Sequence, residues 1–284
     1  MTRLRDRALL RDLTPSSRVG LLMVAATIAV TVLGPFLVPY DPVATNADNA
    51  LAGASGAHWL GTDQYGRDIL ARTVAGGRYA LLVSLCATAA SVLIGTVLGT
   101  LAASSGRWVD AGVTRVLDAV LAVPSVLALL LVVSVFGNQL WVLVLAVSIV
   151  YAPAVARVVR GAARPVMTSG YVTSARARGE RTIAIVVREV LPNILDTIFV
   201  EFAMRASWVI LLVSTLSFLG FGVSPPAPDW GLMIQENRSA LTVAPAGTLA
   251  PIVALSVLVV GVNLAADGLA KYLGVDRARR GVAR

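Results

Sequence analysis

Glu201 and Arg205 stand four residues apart in an apolar stretch, the spacing that places an acid and a base on one helical face with the acid first. On a membrane-insertion scale two such charges cost about 5–7 kcal/mol, and the ten strongest apolar neighbours between Ile198 and Leu216 return roughly 3–6 kcal/mol. This face is therefore expected to turn inward, either as a structural ion pair or as part of an aqueous path. Other chemistry is limited by what is missing. The single lysine lies in Asp267-Gly268-Leu269-Ala270-Lys271-Tyr272, which fails the GxxxxGK[ST] pattern of a phosphate-cradling loop. ATP chemistry is thus expected from another chain. His58, the one histidine, reads as structural or solvated. No clustering of His, Cys and carboxylates suggests a metal site, and no partnered nucleophile suggests an intramembrane protease. The sequence predicts no catalytic residue, cofactor or metal. Cys86 is alone and cannot close an internal disulfide.

Composition says what must position that pair. Of 284 residues 57% are hydrophobic and only 14% charged, with a mean hydropathy of +0.78. Soluble domains carry about 25% charged residues, so the bilayer is the natural solvent for this chain. Long unbroken apolar runs, without the period-two alternation of a barrel, predict an all-α integral membrane protein. The net charge of +8 is carried by arginines clustered between the runs, as at an anionic membrane face, which argues against nucleic acid.

About six spans are expected, over residues 19–38, 79–103, 113–136, 140–158, 194–219 and 248–270, with tails at 1–18 and 271–284. The first is too long for a signal-peptide core and reads as an uncleaved anchor. The uncharged stretch between Asp118 and Arg157 is about twice the bilayer thickness and must fold back, with Gly137-Asn138-Gln139 as its turn. Pro124 and Pro153 are potential breaks in spans three and four. Placing the termini inside puts 19 basic residues in cytoplasmic segments and 4 outside, so both termini are expected in the cytoplasm of a bacterial plasma-membrane protein. The inside set includes Arg3, Arg5, Arg7 and Arg11, and Arg277, Arg279, Arg280 and Arg284. Ser91, Gly95, Gly99 and Ala103 form a small-residue stripe for close helix approach, within this chain or against another subunit.

Three hydrophilic segments exceed simple turns: 39–78 and 220–247 on the outside, 157–193 on the inside. In the inner one, Tyr171 to Arg178 continues as a helix that Gly179 stops in the C′ manner. Glu180 is read as opening a second helical stretch, which Pro192 ends. The result is a helical docking knob, or alternatively a solvated basic loop.

The stretch Tyr171-Val172-Thr173-Ser174-Ala175-Arg176-Ala177-Arg178-Gly179, followed by Leu191-Pro192-Asn193, resembles the EAA coupling loop of binding-protein-dependent ABC permeases. Leu60-Gly61-Thr62-Asp63-Gln64-Tyr65-Gly66-Arg67-Asp68 is similar to the LGTDxxGRD segment of the C-type permease in dipeptide, oligopeptide and nickel importers. So is Leu216-Ser217-Phe218-Leu219-Gly220-Phe221-Gly222-Val223, with Pro225-Pro226 and Asp229-Trp230-Gly231 after it. The resemblance runs from about Val19 to Asp276. It departs at Thr173 and Ser174, where the family carries a glutamate, at Glu189, where a histidine is common, and at Val213, where a glutamate is common.

The resemblance implies a type I ABC importer permease fold, with a coupling loop between spans four and five. It implies a second homologous permease as partner, two ATPase subunits below and an extracytoplasmic solute-binding protein. ATPase coupling is expected from Tyr171, Thr173, Ser174, Ala175, Arg178, Gly179, Glu180, Pro192 and Asn193. Peptide is the expected cargo, with nickel or a metallophore as the alternative. A secondary transporter is the rival class, though the last three spans show no repeat of the first three.

Overall fold

The structure is a computed structural model that describes residues 14–272. The arginines at 3, 5, 7, 11, 277, 279, 280 and 284, used in the charge count, lie outside the described residues, as do most of both tails.

Regular structure among the described residues is helical, apart from one isolated antiparallel bridge between Thr62 and Asp68. Helix α1, Pro15–Leu37, starts with Thr14 as N-cap and with proline at the position that needs no N–H. Helix α2, Ile69–Ser104, is capped by Asp68, which accepts from the Ala71 N–H at 2.7 Å. Then come α3 (Arg107–Leu121), α4 (Ser125–Phe136) and α5 (Leu140–Met167). Helix α6 is Gly170–Ala177 and α7 is Thr182–Ile185; a π turn, Val186–Val190, leads from α7 into α8, Leu191–Phe218. Helices α9 (Trp230–Asn237) and α10 (Ala246–Tyr272) complete the order.

In place of one helix over 113–136, α3 and α4 form a pair bent by 83°. Pro124 is the cause: it has no N–H to donate and disfavours helical geometry in Val123 before it. The expected turn at Gly137-Asn138-Gln139 is present. Gly137 takes a φ of +85°, and the Asn138 amide donates to the Gly222 carbonyl at 2.6 Å. Helices α1, α2, α5 and α10 are long and apolar enough to cross a membrane, and α3 with α4 makes a fifth if the bent pair is one span. The difference from about six lies in α8. It has the length, 28 residues, but carries Asp196, Glu201 and Arg205.

Helix α2 is the hub of the bundle, packed chiefly on α5. A Cβ on Gly95 would lie 2.6 Å from the Val155 Cβ, and one on Gly99 would lie 2.6 Å from the Ala156 carbonyl. The small-residue stripe is therefore spent within this chain, on the α2–α5 crossing. One apolar cluster joins Val83, Leu129, Leu143, Val147, Val213 and Leu216, and a second joins Val155, Val159, Met167, Val172, Ile185 and Val190. Large apolar side chains also face outward: Trp108 is 89% and Phe36 82% exposed, as suits a lipid surround.

Pro35 inside α1 leaves the Thr31 carbonyl without its helical donor. Arg78 of α2 takes that place, Nε to Thr31 O at 3.1 Å and Nη2 to Val32 O at 3.1 Å. A backbone group in a membrane span must be satisfied by protein, and here a neighbouring side chain does so.

Candidate functional site

The inner segment folds as a capped knob. Helix α6 ends with Arg178 as C-cap and Gly179 at a φ of +78°. The Gly179 N–H donates to the Arg176 carbonyl at 2.9 Å, and the Glu180 N–H reaches back to the Ala175 carbonyl at 3.2 Å. That pair of bonds is a Schellman closure. The space around a Cβ on Gly179 is open, so glycine is required there by its backbone angle and not by crowding.

Val172 and Ala175 are buried in the second apolar cluster against α5, α7 and α8. Ala175 thus anchors the knob and offers no surface to a partner. The Thr173 hydroxyl donates to the Ser169 carbonyl at 3.1 Å and that of Ser174 to the Gly170 carbonyl at 2.9 Å. In place of the family's acid, both hydroxyls serve their own helix. Tyr171 and Arg178 are exposed, and Arg178 Nη2 pairs with Glu180 Oε1 at 2.6 Å across the turn.

Two expectations are corrected. Glu180 does not open a helix: α7 starts at Thr182, with Arg181 as N-cap. Pro192 does not end one either, since helical structure runs unbroken from Thr182 to Phe218. The π turn explains this. The Leu191 N–H bonds five residues back to the Val186 carbonyl, and the widened turn makes room for a proline ring that a regular α-turn would exclude. Asn193 sits just after it, its Nδ2 donating to the Glu189 carbonyl at 2.6 Å.

Several arginines ascribed to the inner loop lie on α5 and are paired. Asp110 of α3 accepts from Arg160 Nη2 at 2.8 Å and also pairs with Arg164. Asp118 pairs with Arg157 at 2.8 Å. These contacts pin α3 to the knob end of α5.

At the other end of α2, segments 39–68 and 220–247 form a cap around a charge cluster that sequence reasoning missed. Asp63 Oδ2 accepts from Arg67 Nε at 2.7 Å. Arg67 Nη2 and Arg72 Nη2 both donate to Glu236 Oε2, at 2.7 and 3.0 Å. Arg72 is fully buried and also donates to the carbonyls of Pro42 and Pro226. Two cations and two anions balance here, as burial demands. The available signal was the four-residue spacing of Asp63 and Arg67, with Glu236 and Asp229 as the only carboxylates in 220–247. Asp229 N-caps α9, accepting from the Leu232 N–H at 3.1 Å. Burial pushes its carboxyl above the usual range, against the backbone N–H groups of Leu232 and Gly231 and the Ser217 hydroxyl. Trp230 is buried and donates to the Thr73 carbonyl at 2.7 Å, locking α9 onto α2. His58 is structural: Nδ1 meets Asp68 Oδ2 at 2.8 Å, and its ring lies against Tyr40.

Between cap and knob, Arg205 Nε donates to Glu201 Oε2 at 3.1 Å, so the pair read from spacing forms. Glu201 is buried and Arg205 partly exposed.

A helical bundle with an apolar exterior, a capped knob at one end and a charge-balanced cap at the other has the features of a transport protein's membrane subunit. The chain belongs to the binding-protein-dependent transport system inner membrane components, which it matches over residues 95–277. It is a permease subunit, integral to the inner membrane, of a transporter complex that works with an ATPase and a binding protein. It is 35% identical over 251 residues to the dipeptide transport system permease protein DppC of Alkalihalophilus pseudofirmus, covering 88% of this chain and 83% of the relative. It is 38% identical over 251 residues to the glutathione transport system permease protein GsiD of Pectobacterium atrosepticum, with coverage of 87% and 83%. Its fold is similar to a chain of the MetNI methionine ABC transporter at a TM-score of 0.59 and 17% identity, covering 71% of this chain and 96% of that one.

Proposed function

We propose that this chain forms half of the membrane path of a peptide importer and takes its power stroke through the knob between α5 and α8. The relatives support peptide as the cargo: one is named for dipeptides and the other for glutathione, itself a peptide. In this reading the chain crosses the membrane six times, α8 included, with both termini cytoplasmic. It pairs with a second, homologous permease above two ATPase subunits and receives solute from an extracytoplasmic binding protein.

The observation that carries the coupling role is the Schellman closure at Gly179. ATPase movement reaches the membrane only through an element that is itself stiff. Helix α6 is closed by backbone bonds at its far end and anchored by Val172 and Ala175, so a push on Tyr171 or Arg178 is delivered to α5 and α8. Pro192 and Asn193 act behind the knob, at the junction with α8, and not at its tip.

Reconstitution tests the assignment. The assembled complex with its binding protein should import peptide only with ATP, and this chain alone should neither transport nor hydrolyse ATP. Transport by this single chain without ATPase subunits would overturn it. Titration calorimetry of the co-encoded binding protein with peptides and with nickel complexes tests the cargo, and binding of nickel complexes alone would reject peptide.

A further inference from the structure

Arg205 has fourteen residues of α8 before it and thirteen after, so it lies at the middle of its helix. In the six-span reading that is the depth at which a charged side chain is most costly in hydrocarbon. Only its Nε is engaged, by Glu201 at 3.1 Å; its two Nη groups make no hydrogen bond among the described residues. The side chain is 22% exposed. It borders a face of α8 that carries Met204 and Trp208, both exposed. Tyr151, near the middle of α5, meets this face through its hydroxyl, 3.4 Å from the Trp208 carbonyl.

A lipid-facing guanidinium would stand unsolvated with two amino groups unused. A water-filled path resolves both problems and requires no added carboxylate. Peptides of different sequence share few recognisable groups, and a terminal carboxylate is one of them. The two Nη groups of an arginine match a carboxylate in a bidentate fashion. Methionine and tryptophan beside it provide an adaptable apolar wall for variable side chains.

We propose that Arg205, held in place by Glu201, is a midpath binding point for the carboxylate of a passing peptide, and that Met204 and Trp208 line the same path. This rests on the peptide-permease reading. The test uses the complete complex in proteoliposomes, in a Cys86→Ser background, with Met204→Cys, Trp208→Cys and Arg205→Cys made singly. The thiols at the first two positions should react with a membrane-impermeant methanethiosulfonate during turnover, more slowly when peptide-loaded binding protein is saturating. Arg205→Cys should transport about tenfold less or worse. The cationic 2-aminoethyl methanethiosulfonate should restore it, and the neutral methyl reagent should not.

Thiols at Met204→Cys and Trp208→Cys that stay unmodified would overturn the proposal, as would equal rescue by the neutral reagent. If Arg205→Cys fails to assemble, the reactivity of the other two variants still decides. The underlying permease reading fails separately, if the Cys86→Ser complex itself shows no ATP-dependent peptide uptake.

Discussion

Arg72 and Glu236 stand 164 positions apart in the chain and meet in a buried ion pair, Nη2 to Oε2 at 3.0 Å. Through it the first turn of α2, and through Arg67 the segment that precedes α2, are fastened to the helix α9 that follows α8.

Removing the shared carboxylate leaves Asp63 as the one partner carboxylate for two buried cations. Glu236→Gln should cost about 3–5 kcal/mol of cap stability, and Asp48→Asn at a solvent-exposed position close to nothing. Limited proteolysis of residues 39–68 in the purified complex checks this, with faster cleavage expected in the Gln variant only.

At Gly179 the backbone angle, not space, is limiting. Gly179→Val should strain the turn by roughly 1–2 kcal/mol and shift the knob. The expected result is an assembled complex whose ATP hydrolysis no longer drives uptake, or one that sheds its ATPase. Gly179→Asn, which tolerates the left-handed region, should retain most coupling. Wild-type uptake by the Val variant with the ATPase still bound would remove the turn from the mechanism.

Pro35 and Arg78 form a compensating pair, and a double-mutant cycle should reveal it. Arg78→Gln alone leaves the Thr31 carbonyl without a donor. In a Pro35→Ala background the restored backbone N–H supplies that carbonyl, so the same change should cost less. A coupling of about 0.5–3 kcal/mol in thermal unfolding is expected, and strict additivity would count against the compensation.

The α2–α5 crossing has no room at Gly95. Gly95→Leu should block assembly outright, because its Cβ would overlap that of Val155. Size-exclusion chromatography of the expressed complex reads this directly, and a normally assembled variant would contradict the packing.

Orientation can be read with single cysteines in a Cys86→Ser background. Ser55→Cys, in the cap, should label from outside intact cells, and Ser169→Cys, at the knob, only after permeabilisation. Labelling of Ser169→Cys in intact cells would reverse the topology.

Much of this was legible because single runs of residues determine it. The apolar stretches give the long helices, Gly137-Asn138-Gln139 gives its turn, and Gly179 marks the end of α6 by a rule only six residues wide. The Glu201–Arg205 pair follows from spacing alone. What escaped were features whose cause lies elsewhere in the chain or in an unusual turn. Arg67 and Arg72 count as outer-loop charges until Glu236 is brought to them. Arg157, Arg160 and Arg164 read as loop residues until α3 supplies Asp110 and Asp118. Pro192 signals a helix end by the ordinary rule, and that rule assumes bonds of four residues where the chain makes one of five.

The π turn at Val186–Val190 also sets the phase of the apolar pattern around it. Ile185, Val190 and Ile194 all point into the same cluster, at intervals of five and then four. A regular α-helix advances about 100° per residue, so the first interval alone would swing Val190 roughly 140° away from Ile185. The extra residue in the turn absorbs that rotation. Deleting any one residue from 186 to 189 would therefore let the stretch close as a regular α-helix with Ile185 and Val190 four apart, about 40° from each other and still on one face, so the knob would keep its aim while the widened turn was lost. The extra residue is thus nearly neutral for where the knob points, and what it changes is the fit of Pro192, whose ring a regular turn at this place would exclude.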